Sequence, residues 1–443
     1  MSKFIKAAIY VAASLLLYFL LREALPKYRE ALGVYLALFL FDGYLWMSTG
    51  PYLRKRGILV HLLGGLFYWL PFLLIVASGI YGWFVPFPSW NTILRTEVTT
   101  FILIGYGIKV IPVITRVISD IIRLLFGKPR TPSIYGRKPV EPKNMLMITG
   151  WVLGAALGIL LIAGHFAGQY RFQVNQVKLT IKDLPPSFEN FRIVQISDLH
   201  LGNWNCPHKL DEAVTRINSL RPDAIFVTGD AATFSSLDVI RFKSSLKKLK
   251  AREGIYVIYG NHDYGQYYKV KSRQEVYDNM KRFSEFYHEL GWMLLCNEEK
   301  TIARGTDSIA VIGVENWGEE KRFPKLADLI KAEQGTEKIA TKLLLSHDPS
   351  YWEKYITKYH HEVDVTFSGH SHGGQVGLEL PGLRFSLVSG MHPYWAGLYT
   401  DTTEQGNVQY LYVNRGLGTV GYNGRVGIMP EITLFTLSRD TIH

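Results

Sequence analysis

The chain has 443 residues, is 48% hydrophobic and 13% aromatic, and carries 49 Lys and Arg against 38 Asp and Glu, a formal charge of +11. That composition excludes a disordered chain, and two cysteines, Cys206 and Cys296, exclude a disulfide scaffold. A basic excess of this size belongs either to a surface that binds nucleic acid or another anion, or to the cytoplasmic loops of a membrane protein.

The charge is uneven along the chain. Residues 1–170 hold 17 Lys and Arg against 6 Asp and Glu, while residues 171–443 hold 32 of each. Two kinds of segment therefore join near residue 170: a helical domain, 1–170, and a water-soluble domain, 171–443. The balanced second segment lacks the bulk basic excess of a nucleic-acid binder, and no nucleic-acid partner is expected.

The first segment is apolar in blocks: Phe4–Leu21, Ala31–Met47, Ile58–Val85, Val98–Thr115 and Met145–Gly168. A helix needs about 20 mainly apolar residues to cross a ~30 Å hydrocarbon core, so the pattern predicts a transmembrane helical bundle of about five spans. The fourth block is the weakest because Lys109 lies inside it, and an ionisable residue there belongs in a bundle interior. His61 and His165 lie in or near these blocks, at an interface or packed between helices. Five spans put Lys3, Lys6, Arg54, Lys55, Arg56 and the basic residues of 123–143 on one side. Arg22, Lys27, Arg29, Arg95 and Arg171 fall on the other. The positive-inside rule places the first side in the cytoplasm. The expectation is an integral, multi-pass protein of the plasma or inner membrane, with everything after residue 170 extracytoplasmic. The stretch Pro129–Pro142 reads as an irregular loop.

After residue 170 the pattern is that of an α/β domain. Phe191–Ser197, Ala224–Thr228, Ile255–Tyr259, Ile309–Val314, Lys342–Ser346 and Val363–Phe367 read as strands, several apolar throughout and suited to burial on both faces. His208–Leu220, Asp238–Lys250 and Gln274–Leu290 read as helices. The tail is β-rich, with Phe385–Val388, Val408–Val413 and Ile432–Leu437.

Metal-ligand residue types gather where these strands end: Asp198-Leu199-His200, Gly229-Asp230, Gly260-Asn261-His262-Asp263, His347-Asp348 and Gly369-His370-Ser371-His372. Loops at the carboxyl ends of strands line the ligand crevice of an open α/β sheet. A mixed set of Asp, Asn and His suits borderline first-row divalent metals, whereas pure carboxylate and carbonyl would suit Ca²⁺ or Mg²⁺. Asp-x-His and His-x-His put alternate side chains on one side of an extended segment, and a carboxylate such as Asp230 can bridge two metals. A metal pair clamps a phosphoryl group and generates a hydroxide nucleophile.

This ordered series resembles the calcineurin-like metallophosphoesterase family, over about residues 190–437. Gly373-Gly374-Gln375, Pro393–Tyr399 and Asn414–Gly418 resemble its bacterial membrane-anchored or exported branch. The resemblance implies two mixed β-sheets flanked by helices. It also implies a pair of divalent ions (Mn, Fe or Zn), with Asp198, His200 and His372 on the first, Asn261, His347 and His370 on the second, and Asp230 bridging. His262 would protonate the leaving oxygen or stabilise the phosphoryl oxygens, and Asp263 would orient His262. One departure stands out: the family often continues Gly-Asp with two apolar residues and a second Asp, where this chain has Ala231-Ala232-Thr233.

Arg415 reads either as a phosphate-binding group or as a structural salt bridge. Cys206 lies either near the mouth of the site or in ordinary packing. Trp204, Tyr264, Tyr267, Tyr268, Trp317 and Trp395 read either as an apolar rim for a lipid tail or as a membrane-proximal aromatic belt. His208, His288, His360, His361, His392 and His443 lack motif context and read as surface or packing residues. The expected protein is a membrane-anchored binuclear phosphoesterase acting on a phosphodiester, pyrophosphate or phosphomonoester, possibly lipid-linked, by attack of a metal-bridging hydroxide. Alternatives are a cytoplasm-facing nucleotide-lipid pyrophosphatase like those of lipid A synthesis, and a non-catalytic metal-binding membrane protein.

Overall fold

Long apolar runs without helix-breaking clusters can satisfy their backbone in a bilayer only by forming helices, and the first part of the chain does so. The computed structural model describes residues 3–24, 29–127, 142–265, 272–318, 323–380, 382–403 and 406–440. Pro129–Pro142 as far as residue 141, with Tyr267, Tyr268 and His443, lies outside the described residues. The chain divides into two compact units, Met1–Ile162 and Ala163–His443.

The first unit is built of α1 (Lys3–Ala24), α2 (Arg29–Arg54), α3 (Ile58–Phe84), α4 (Thr92–Phe126) and α5 (Pro142–Ala163). Among the described residues four helices are long and apolar enough to cross a membrane: Ala31–Arg54, Ile58–Phe84, Thr92–Phe126 and Met145–Gly168. The first of the five expected spans contributes only a shorter apolar run, Ile9–Leu20. The fourth, weakened in the sequence by Lys109, is the longest helix, capped by Asn91 accepting from the amides of Ile93 and Leu94. Lys109 is buried and paired: its Nζ lies 2.7 Å from Asp42 Oδ1 on α2 and over the rings of Tyr68 and Tyr106. The Tyr106 hydroxyl donates to the other oxygen of Asp42 at 2.9 Å.

The second unit holds strands β1 (Gln173–Ile181), β2 (Arg192–Ile196), β3 (Ala224–Thr228), β4 (Gly254–Ile258), β5 (Met293–Leu294), β6 (Glu298–Arg304), β7 (Asp307–Gly313), β8 (Thr341–Leu345), β9 (Val365–Ser368), β10 (Gly377–Leu380), β11 (Leu383–Ser386), β12 (Gly397–Thr402), β13 (Val408–Val413) and β14 (Glu431–Arg439). One six-stranded sheet runs β1-β14-β2-β3-β4-β5, another β12-β13-β9-β8-β7-β6, and β10-β11 is a separate hairpin. Within the sheets β2, β3 and β4 are parallel neighbours, as are β8 and β9. β3 and β8 are buried at every residue, as their unbroken apolar runs require.

Between the sheets lies a core that includes Ile193, Phe226, Tyr256, Leu343, Leu345 and Phe367. The outer face of the first sheet packs under α6 (His208–Ser219), the single turns α7 (Leu237–Ile240) and α8 (Lys243–Leu246), and α9 (Arg273–Leu290). α9 begins at a capping box, Ser272 with Glu275, and ends at Gly291 in the left-handed region. The predicted helix Asp238–Lys250 is broken into α7 and α8, with Phe242 at φ −101°, ψ 4° between them. Asp238 is engaged elsewhere, accepting the amides of Thr233 and Phe234, and the like charges of Lys243, Lys247, Lys248 and Lys250 disfavour a continuous helix. The result is a sandwich that presents the carboxyl ends of five parallel strands.

Candidate active site

Three of those five strands, β2, β3 and β9, turn sharply as they end. Asp198, His200, Asp230, His370 and His372 all have positive φ, between 41° and 71°. Side chains other than glycine pay strain for that conformation, and such residues concentrate at functional sites. Adjacent loops hold each other there: the amide of Asp198 donates to Gly229 O and that of His200 to Asp230 O, each at 3.0 Å. Glycines permit the close approach. A Cβ on Gly260 would lie 2.2 Å from Asp230 Oδ1, and one on Gly369 would lie 2.3 Å from Asp198 Oδ2.

The seven expected ligands come together. His200 Nε2 lies 3.0 Å from His372 Nε2 and 3.5 Å from Asp230 Oδ2, and His372 Nε2 lies 3.3 Å from Asp198 Oδ1. On the other side of Asp230, His347 Nε2 lies 3.2 Å from its Oδ2 and 3.2 Å from Asn261 Oδ1, which in turn lies 2.8 Å from His370 Nδ1. The ligand atoms of Asp198, His200, Asp230 and His372, all buried, lie within 4.8 Å of one another.

The donor set fits a cation. Two buried imidazole nitrogens face each other beside two carboxylates, and the Nδ1 atoms of His200 and His372 have no hydrogen-bond partner. Burial pushes the His200 and His372 imidazoliums well down, leaving the neutral rings that ligate metals. His347 fixes its ring by Nδ1 at 2.7 Å from the carbonyl of Thr228, the outer hydrogen bond that metal-binding histidines make. Burial also pushes the carboxyl of Asp198 up to about 6, against the opposing pull of His347. Burial alone would raise Asp230 as well, but the surrounding His347, His262 and His200 rings hold it well below the usual carboxylate range.

Asp263 departs from its expected part. Its Oδ2 accepts the amides of Asp230 and Gly260, and its Oδ1 that of Ala232, all at 2.9 Å. Asp263 thus clamps the backbone of two ligand loops, while the His262 ring is held by Nδ1 at 2.7 Å from Thr233 O. Burial, helped by Asp230, pushes Asp263 up to about 7. Arg415 is engaged by carboxylates, 2.8 Å from Glu379 and 3.3 Å from Glu431.

Most of the aromatic residues expected at a rim or belt pack inward. Trp204 is buried, donating to Leu199 O and stacked on Phe172; Tyr264 is buried against Glu315 and Asn316; Trp395 is buried under Arg384. Trp317 packs on Tyr351 and Tyr355. The backbone amide of Cys206 donates to the Tyr170 hydroxyl oxygen at 3.4 Å. His165 is buried with Nδ1 2.5 Å from Asn423 O.

Two residues without a sequence motif belong to this neighbourhood. His392 sits edge-on to His370, with ring centres 6.2 Å apart. Arg425, fully buried, donates to the carbonyl of His372 at 3.2 Å. The only sequence signal near His392 is the Pro393–Tyr399 stretch that follows it.

A strained cluster of buried Asp and His at the carboxyl edge of parallel strands is the architecture of a metal-dependent hydrolase. Comparison with known proteins specifies which. Residues 191–374 match the family model for calcineurin-like phosphoesterases. The chain is 30% identical over 299 residues to the metallophosphoesterase YkuE of Bacillus subtilis, covering 65% of this chain and 94% of that one. It is 31% identical over 291 residues to the UDP-2,3-diacylglucosamine pyrophosphatase LpxG of Chlamydia muridarum, covering 55% and 84%. It is 29% identical over 275 residues to a transmembrane protein with metallophosphoesterase domain of Danio rerio, covering 60% and 57%. The chain belongs to the calcineurin-like metallophosphoesterase family and is a metal-dependent phosphoric ester hydrolase.

Proposed function

We propose that the chain is a membrane-anchored binuclear phosphoesterase. In this reading Asp198, His200 and His372 hold one divalent ion, Asn261, His347 and His370 hold a second, and Asp230 bridges them. The observation that carries it is the position of Asp230 Oδ2, 3.5 Å from His200 and 3.2 Å from His347, between the two ligand groups. Ions of the Mn, Fe or Zn type bound there would supply an activated water and neutralise charge on the phosphoryl oxygens.

The chain's own groups prepare the rest. The His262 amide donates to Asp230 Oδ1 at 2.8 Å and fixes that carboxylate, and Asp263 ties down the two loops that carry Asp230 and Asn261. With Nδ1 of His262 engaged at Thr233 O, proton transfer to the leaving oxygen falls to Nε2. Burial holds this imidazolium below its ordinary range, and an arriving phosphoryl anion favours its charged form.

Four apolar helices favour an amphiphilic substrate: a phosphodiester, pyrophosphate or phosphomonoester carried on a lipid. The likeness to a pyrophosphatase of UDP-2,3-diacylglucosamine supports that class. Hydrolysis of bis(p-nitrophenyl) phosphate tests the core of the reading. Chelation is expected to abolish turnover and Mn²⁺ or Zn²⁺ to restore it. Asp230→Ala and His370→Ala are expected to lose more than the about 10–100-fold typical of outer-sphere partners. Full activity in either variant overturns the assignment.

For sidedness, the basic α2–α3 turn (Lys55, Arg56) and the basic 123–143 segment favour a cytoplasmic location for both. The second unit is then extracytoplasmic whether or not α1 crosses. The likeness to LpxG favours a second reading, a cytoplasm-facing nucleotide-lipid pyrophosphatase with the same site.

A further inference from the structure

The hairpin that follows the metal-ligand loop carries its apolar side chains outward. Register pairs Leu378 with Phe385 and Leu380 with Leu383, and pairs Glu379 with Arg384. Cross-strand partners share a face, and faces alternate along each strand, so the four apolar residues lie together and the charged pair lies opposite. Leu378, Leu380, Leu383 and Phe385 are 43–54% exposed, and the chain continues into Leu387 and Met391 at 62% and 69%. A patch of this kind on an otherwise well-packed unit marks an interaction surface.

The opposite face is fastened. Arg384 donates to Ala396 O at 2.8 Å and to Glu379 at 3.2 Å, and Arg415 also donates to Glu379, at 2.9 Å. At the base, Ser386 Oγ donates to the carbonyl of Gly373 at 2.6 Å, one residue beyond His372. Met391 immediately precedes His392, whose ring sits beside His370. The hairpin is thus held by its polar face directly against the loop that carries His370 and His372.

We propose that the apolar face of β10–β11, continued by Leu387 and Met391, inserts into the interfacial layer of a lipid bilayer. The chain itself argues for this occupant. Its last apolar helical stretch ends at Gly168 and β1 opens at Gln173, so this unit is tethered at a membrane wherever that stretch is inserted. A short apolar ridge with its charged pair on the opposite face offers area without polar groups that need matching, which is what the acyl boundary accepts. Insertion brings the ligand loop to the membrane surface, where the phosphate of an amphiphilic ester lies. That consequence rests on the phosphoesterase reading, while the docking itself does not.

The test uses the full chain in vesicles of phosphatidylcholine and phosphatidylglycerol, 4:1, in a background lacking Cys206 and Cys296. A cysteine replacing Leu383 is labelled with the environment-sensitive dye NBD, and a matched chain carries the label at the exposed Ile330. At 383 the expected result is blue-shifted emission and at least twofold quenching by doxyl-labelled phosphatidylcholine, both reversed by L380E. At 330 neither is expected. Water-like emission at 383 overturns the proposal. So does a blue shift that doxyl lipid fails to quench, which would mean that protein covers the face. Turnover of bis(p-nitrophenyl) phosphate by L380E within twofold of the parent reports an intact site. If the parent itself lacks that turnover, the phosphoesterase reading fails while the depth measurement still decides the docking.

Discussion

Arg425 shows how the site draws on groups that offer no ligand atom of their own. Its guanidinium donates to the carbonyls of Arg415 and Gly418 at 2.7 Å, and to those of Gly416 and His372 at 3.2 Å. Burial pushes it down only to about 9, so it stays cationic at neutral pH. Lysine has three donors on a point charge and cannot reproduce that fan. Arg425→Lys is therefore expected to keep the fold by circular dichroism but to weaken metal affinity about 10–100-fold, read by titrating metal against turnover. Unchanged affinity would reduce Arg425 to a packing residue. Cys296 makes a second residue-scale case. Burial, with Glu315 and Glu298 nearby, pushes its thiol from 9.0 to about 12. The thiolate needed for alkylation is then about a thousandfold scarcer at pH 8 than in the unfolded chain, and forms only as pH climbs toward 12. Iodoacetamide at pH 8 is expected to leave Cys296 unmodified by mass spectrometry until denaturant is added. The ligand residues are legible in the sequence because each follows closely on an apolar strand. Arg425 and His392 are not, because loop geometry alone brings them to the site.

At the scale of elements, pairing across distance decides what local pattern cannot. β3 and β8 announce themselves as unbroken apolar runs. β1 (Gln173–Ile181) and β6 (Glu298–Arg304) do not, since both are edge strands with a largely solvent-facing side, stabilised by parallel pairing to β14 and antiparallel pairing to β7. The same holds in the helical unit. Lys109 weakens α4 as a sequence, yet Asp42 of α2, 67 residues away, neutralises it. Asp42→Ala leaves that ammonium buried without its counter-ion and is expected to cost about 3–5 kcal/mol. The double change Asp42→Ala/Lys109→Met should recover most of the loss. Melting temperatures of the two variants in detergent measure the difference, and equal destabilisation by both would show that the pair contributes nothing beyond packing.

The whole molecule is organised by the same charge imbalance that marks its sequence. The +11 lies within the first 170 residues, and the unit that carries the ligand cluster is neutral. Positive loops resist translocation at short range from a span, whereas a neutral domain carries no such signal and follows the orientation its helices impose. The orientation proposed for the last span thus rests on Lys55, Arg56 and the basic 123–143 segment, not on anything in the catalytic unit. This yields a topological expectation that requires no knowledge of substrate. In a background lacking Cys206 and Cys296, a cysteine replacing the exposed Lys358 should react with a membrane-impermeant maleimide in intact cells, and one replacing Lys55 only after permeabilisation. Reversing the sign of the α2–α3 turn with Lys55→Glu and Arg56→Glu should weaken that asymmetry, because the opposing loop keeps its own positive charge. Labelling at 55 and protection at 358 in intact cells would reverse the orientation. The same ligand cluster would then face the cytoplasm, where a nucleotide-linked lipid is the substrate it could meet.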